Sequence, residues 1–167
     1  MITDMGGFAA ATFKRGIRFY NVPTTLLSAV DAAVGGKTGI NFGGLKNEIG
    51  AFCDADAVVI STSWLATLPA EELKSGYAEM IKHALIDSPA EYRRLLDFDI
   101  AAADLTGLLP LVERSVMVKK GVVEQDPREQ GIRRALNLGH TAGHAFESLA
   151  MRRGRPVPHG YAVAWGL

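Results

Sequence analysis

The sequence predicts an α/β portion followed by an all-α portion, and three observations carry that prediction. Residues 1–62 are glycine-rich and alternate short apolar runs with turn formers, an α/β rhythm. From Leu68 onward apolar residues recur at helical spacing instead. No alternating, strand-like run returns after that change. Two domains are therefore expected: the C-terminal part of an α/β domain at 1–62 and an incomplete helical domain at 63–167.

In chain order, 7–15 reads as a short helix and 17–22 as a buried strand stopped by Pro23. Thr24 or Thr25 caps a helix over 26–34, and 58–60 is a further strand. Pro69 suits the first turn of the next helix, Glu71 and Glu72 suit its positive end, and its apolar spacing runs through Ile86. Further helices are expected over 90–96, 105–124 and 135–151, with a last one from near Gly160. Pro110 marks a helix start or bend. The chain starts just before a strand-to-helix turn and stops within AVAWGL without a cap, which reads as a piece of a longer chain.

The 167 residues suffice for one domain or two small ones with a proper core. Eighteen basic residues balance eighteen acidic ones in short runs, which argues against nucleic acid as a partner. The single Cys53 excludes an internal disulfide and a thiolate zinc cage, and fits a reducing compartment, the cytoplasm. No apolar stretch approaches the roughly 18 residues of a membrane helix.

The densest chemistry lies in LNLGHTAGHAFE, 136–147. Residues four apart on a helix share a face with Cβ atoms about 6 Å apart, so His140 and His144 can point into one space. His159 follows in a Pro-rich loop. Three of the four histidines thus fall within twenty residues. A catalytic zinc takes about three protein ligands and keeps one open position. Glu79, on a largely apolar helix, is the carboxylate that would complete the set, because a buried acid needs a cation or a metal. Capping, packing or surface histidines are the alternative.

Two further constellations accompany it. VGGKTGIN (34–41) and GGLKNEIG (43–50) set Lys37 and Lys46, with Asn47, in Gly-rich segments whose amides could form an anion nest. The GGKT run lacks the first glycine and the flanking context of a P-loop, and solvated hairpin lysines are the plain alternative. Glu129, Arg133 and Asn137 are spaced by four, and a helix running back from Leu136 would align them with His140 and His144 as a polar cleft lining.

GFAAATFKRGIRFYNVPTTLLSAVDAAVGGKTGIN, KNEIGAF, SGYAEMIKHALI, LNLGHTAGHAFE and HGYAVAWG, in this order, together resemble 3-dehydroquinate synthase, a family of the sugar-phosphate cyclase superfamily. The resemblance implies a truncated dehydroquinate synthase-like architecture, shared with glycerol dehydrogenase. It implies NAD and one divalent metal, zinc with cobalt as alternative. The implied reaction converts 3-deoxy-D-arabino-heptulosonate 7-phosphate into 3-dehydroquinate and phosphate, within the shikimate pathway of aromatic amino acid biosynthesis.

By the same resemblance, Glu79, His140 and His159 match the metal ligands and His144 a substrate-side residue. Asp4, Thr24, Thr25, Asp31, Lys37, Lys46 and the segment from Trp64 to Thr67 match NAD contacts. Lys37, Asn47, Lys82, Lys119, Arg133 and Asn137 match substrate contacts. Arg15 is similar to an arginine that reaches a neighbouring subunit's site, which implies a homodimer. Tyr161 and Pro127 depart from the acidic residues commoner in the family. The N-terminal strands and a C-terminal helical portion have no counterpart, so the 167-residue chain alone is expected to bind NAD weakly or not at all and to turn nothing over. The competing readings are an inosose- or valiolone-type cyclase and a metal-dependent polyol dehydrogenase.

Overall fold

The computed structural model describes residues 2–43, 45–102 and 104–167, and of Lys46 the backbone alone. Helix α1 (Ile2–Thr12) begins before the expected 7–15 and passes into a tight turn, Phe13–Arg15. It stops where Lys14, Arg15 and Gly16 take positive φ, a conformation no helix can propagate. Strand β1 (Tyr20–Asn21) is shorter than expected. The buried strand at 17–22 is not observed: Ile17, Tyr20 and Val22 are each about half exposed. Parallel pairing with another two-residue strand leaves these side chains with little to pack against.

The expected helix over 26–34 is a helical stretch containing one wide turn, Ser28–Ala32, with Leu26, Ala29, Val30 and Ala33 buried. Thr25 supplies the expected cap, its Oγ1 accepting from the Ser28 N–H at 3.2 Å. The two Gly-rich segments enter the arms of an antiparallel hairpin, β2 (Lys37–Phe42) and β3 (Leu45–Phe52). Gly35 and Gly36 stand just before β2 and Gly43 between the strands, all at positive φ. Strand β4 (Ala57–Val58) stands near the expected 58–60 and pairs with β1.

The helical portion is closer to expectation. Helix α2 (Ala70–Asp87) starts after Pro69 with Glu71 and Glu72 in its first turn. Helix α3 (Pro89–Leu96) is capped by Ser88 and α4 (Leu105–Gln125) by Asp104, whose Oδ1 accepts from the Gly107 N–H at 3.0 Å. Pro110 lies inside α4. The expected single helix 135–151 is two pieces. A tight turn at Ile132–Asn137 ends at Gly139, in the left-handed region at φ 77°, and α5 (His140–Arg152) starts afresh. Helix α6 (His159–Gly166) follows. No helix among the described residues is long and apolar enough to cross a membrane.

The core lies where α2 is sandwiched between the 26–33 segment, α3 and α4. Leu26, Val30, Tyr77, Met80, Leu95, Leu108, Leu111 and Val112 are buried together there. The Tyr77 hydroxyl donates to the Leu95 carbonyl at 2.7 Å, and burial pushes its pKa up to about 12. This core clamps the face of α2 opposite the polar residues described below. Truncating Leu108→Ala in it is expected to cost about 2–5 kcal/mol of unfolding free energy, read as a lower midpoint in a urea titration.

Candidate functional site

One face of α2 carries three ionisable side chains, Glu79, Lys82 and His83, all of them buried. Burying them is tolerable only because two neighbouring helices press polar groups onto that side. Helix α6 crosses α2 at Gly160, whose N–H donates to Ser75 Oγ at 3.0 Å. A Cβ at Gly160 would lie 1.8 Å from the Ser75 carbonyl oxygen, so only glycine permits this approach. Ser75 is one turn before Glu79, and His159, the residue before Gly160, is thereby set over the Glu79 carboxylate. Gly139, in the left-handed conformation, releases His140 as the first residue of α5 beside it.

His159 Nε2 is 3.7 Å and His140 Nε2 3.9 Å from Glu79 Oε1. These separations are too long for hydrogen bonds and close to the roughly 3.4 Å between neighbouring ligands of a tetrahedral zinc with bonds near 2.1 Å. The other Glu79 oxygen accepts from Lys82 Nζ. Oε1 is buried without a hydrogen-bond partner among the described residues. The far nitrogens of both rings are engaged: His159 Nδ1 with Glu147 Oε1 at 3.0 Å and His140 Nδ1 with the Leu138 carbonyl at 3.2 Å. Both acceptors call for a proton on Nδ1, which leaves the Nε2 lone pairs aimed at Oε1. Such a donor set fits one divalent ion.

Burial pushes the Glu79 carboxyl up, Asp31 adds to this, and Lys82 opposes it. Burial, then Lys82, lowers His140 to about 4, so its ring is neutral near neutral pH. Two other groupings of acids and histidines have ligand atoms close together. In Asp31, Glu79 and His83, Asp31 Oδ1, Glu79 Oε2 and His83 Nδ1 are bonded to Lys119, Lys82 and Ser115, while Glu79 Oε1 and His83 Nε2 have no hydrogen-bond partner among the described residues. In His144, Glu147 and His159, the last two bond each other and His144 is exposed.

Cations gather next to this centre. Lys119, buried, donates to both the carbonyl and, at 2.6 Å, the carboxylate of Asp31. Burial would raise the Asp31 pKa, but Lys119 and Lys82 hold it well below the carboxylate range. Arg133, also buried, is pinned by the carbonyls of Pro127 at 2.6 Å and Gly35 at 2.7 Å. Lys37 donates to Glu129, and its pKa is lowered by burial and by Arg133 and Lys119. Asn137 donates to the other Glu129 oxygen. The expected continuous helix face through Glu129, Arg133, Asn137, His140 and His144 does not exist, since Glu129 has φ 57° and the helix is broken at Gly139. The side chains meet instead through loop and hairpin.

The remaining predicted residues lie further out. Asn47, exposed on β3 with φ 51°, donates its N–H to Asn41 Oδ1 at 2.9 Å. The side chain of Lys46 lies outside the described residues. Arg15 is exposed after α1, Asp4 lies on α1, and Thr24 is exposed before the 26–33 segment. Trp64 and Thr67 lie in a tight turn, Thr62–Thr67, leading to α2.

Residues 1–75 match the family model described as 3-dehydroquinate synthase N-terminal, and 76–167 the one described as 3-dehydroquinate synthase C-terminal. This chain belongs to the 3-dehydroquinate synthase family. The 3-dehydroquinate synthase of Parabacteroides distasonis is 60% identical over 167 residues, covering all of this chain and 47% of the relative. That of Listeria monocytogenes is 48% identical, covering all of this chain and 46% of the relative. The chain thus spans about half the length of the curated relatives it matches.

Among solved structures, a 2-epi-5-epi-valiolone synthase from Streptomyces hygroscopicus, with NAD+ and Zn2+ bound, superposes with a TM-score of 0.88 at 29% identity. It covers 98% of this chain and 46% of that one. A 2-deoxy-scyllo-inosose synthase complexed with carbaglucose-6-phosphate, NAD+ and Co2+ gives 0.82 at 29% identity, over 96% and 43%. The fold is the dehydroquinate synthase-like one, an α/β piece followed by helices.

Sequence reading of this 3-dehydroquinate synthase family member passed over three residues. Asp126 accepts from the N–H groups of Gln130, Gly131 and Arg133 and so shapes the loop that carries Arg133; an Asp before Pro127 was its available signal. His83, one turn after Glu79, is held neutral by burial, with a pKa lowered to about 3, and its Nδ1 meets Ser115 Oγ at 2.8 Å. Glu147 stands three residues after His144 and seven after His140.

Because the folded state depresses the Asp31 pKa, its ionised pairing with Lys119 stabilises the fold above the unfolded carboxylate value and is lost as pH falls below it. Asp31→Asn is therefore expected to be markedly less stable than the native chain at neutral pH, with the gap narrowing between about pH 5 and pH 2 in parallel urea titrations. A gap that stays constant would refute this.

Proposed function

We propose that the chain carries the metal- and anion-binding part of a 3-dehydroquinate synthase, an NAD- and metal-dependent carbon–oxygen lyase that converts 3-deoxy-D-arabino-heptulosonate 7-phosphate to 3-dehydroquinate and phosphate. The observation that supports it most is the buried Glu79 Oε1 facing two imidazole nitrogens whose far sides are already bonded. Glu79, His140 and His159 would hold the ion, zinc or cobalt as named for the structural neighbours. When bound, such an ion polarises a substrate hydroxyl and fixes its position for hydride transfer to NAD.

The chain's own side chains supply charge and orientation. Lys82, Lys119 and Lys37 pair with Glu79, Asp31 and Glu129, and Arg133 lies near Asp126, Asp54 and Asp31. An anionic sugar phosphate with a carboxylate suits this gathering of four cations, since charge-assisted bonds are about twice as strong as neutral ones. Arg133, Lys119 and Asn137 are assigned to the substrate carboxylate end, and Lys37, Asn47 and His144 to the phosphate and ring hydroxyls. Holding the ring in one conformation confines a multi-step reaction to one product. Asp4, Thr24, Thr25, Asp31, Lys37, Lys46, Trp64 and Thr67 are assigned to NAD. The same reading takes 1–62 and 63–167 as the domain portions, a homodimer completed by Arg15, and a cytoplasmic location.

A sister cyclase is the second reading, favoured by the solved neighbours; the 60% identity to a curated 3-dehydroquinate synthase weighs against it. Two measurements test the proposal. The purified chain is expected to hold about one equivalent of zinc by elemental analysis, lost in His140→Ala and Glu79→Gln and kept in His144→Ala. Joined to the segment of the Parabacteroides relative outside the matched region, it is expected to release phosphate from the heptulosonate phosphate with NAD present; release only from a neutral heptose phosphate would move the reading to the sister cyclases.

A further inference from the structure

Glu147 lies on the same face of α5 as His140 and His144, seven and three residues on, and is partly buried. One oxygen, Oε1, takes His159 Nδ1 at 3.0 Å. The other, Oε2, faces His144 Nε2 at 3.9 Å. His159 arrives from α6, so this contact is the one that locks the orientation of that ring across the two helices. The ring's opposite nitrogen is the one aimed at Glu79.

We propose that Glu147 is a positioning residue for the metal centre. Its carboxylate holds the proton of His159 on Nδ1, keeps the Nε2 lone pair directed at Glu79 Oε1, and raises the basicity of that lone pair through a charged hydrogen bond. Its second oxygen stands 3.9 Å from His144 Nε2, so one carboxylate neighbours both the metal side and the substrate side of the centre. The inference rests on Glu79, His140 and His159 being the metal ligands, but the tautomer of His159 does not depend on any metal being bound.

The test uses the full 167-residue chain with Glu147→Ala and the isosteric Glu147→Gln. Zinc affinity, from competition with a chromophoric chelator, is expected to fall about 10- to 100-fold in Glu147→Ala and less in Glu147→Gln, which keeps an acceptor without the charge. The cobalt-substituted absorption bands should shift in both, while thermal melts stay near native. In the metal-free chain at about pH 8, nitrogen-15 NMR of the histidine rings should show His159 protonated on Nδ1, and this single tautomer should give way to a mixture in Glu147→Ala.

Zinc affinity of Glu147→Ala within a factor of about two of native overturns the proposal, given that second-sphere losses are normally larger. So does loss of a second, separate equivalent of zinc with the first retained, which would make Glu147 a ligand. If the native chain binds no zinc at all, the metal assignment fails by itself, and an unchanged His159 tautomer in Glu147→Ala then overturns the role of Glu147 independently. Should Glu147→Ala not fold, the Glu147→Gln measurements decide.

Discussion

The polar groups of the candidate site are arranged around one buried carboxylate. Glu79 sits on the best-packed helix of the chain, with no exposure, and only one of its oxygens is satisfied by a cation. An acid in that position would protonate or destabilise the fold unless something met its second oxygen, since removing a charge from water costs several kcal/mol when uncompensated. The two imidazole nitrogens that face it stand too far away to hydrogen-bond and at the right distance to share an ion with it. A site of this form is a stored demand for a cation, and the helices around it are placed to keep that demand in a fixed geometry.

That geometry is produced by close backbone approach rather than by the site residues themselves. Helix α6 can reach α2 only because position 160 has no Cβ, and a Cβ at Gly166 would lie 2.1 Å from the Gly139 carbonyl oxygen, so α5 and α6 also meet backbone to backbone. Two helix starts, α5 at a glycine break and α6 at a proline-bounded turn, therefore converge on a single face of α2. The apolar core on the opposite face holds α2 rigid. Precision in the polar layer is thus a consequence of packing, as close-packed interiors transmit small displacements rather than absorb them.

The cation layer follows a second rule. Lys119 and Lys82 are buried, yet each is tied to a carboxylate, Asp31 and Glu79, so neither is left as an isolated charge. Lys37, half exposed, pairs with Glu129 and has its pKa lowered by burial and by Arg133 and Lys119. This region is continuous with Glu79 and the two imidazoles that face it through the Glu79–Lys82 pair.

Much of this was legible in the chain itself. The helical half announced itself through Pro69, Glu71 and Glu72 and the recurring apolar spacing, because those signals act within a turn or two of where they stand. The residue types at 79, 140 and 159 were readable for the same reason: their chemistry is local. What was misread depended on distant partners. The runs around Lys37 and Lys46 pattern equally as turns or strands, and only pairing across the hairpin decides. The helix expected at 135–151 breaks because Gly139 must bend to admit α6, a neighbour far along the chain. Glu147 drew no reading from the sequence, since its partner His159 is brought to it only by α6. The sequence by itself determined which groups could bind a cation and an anion; only the tertiary structure decided which of their atoms face one another, because that is set by how closely separate helices can pack.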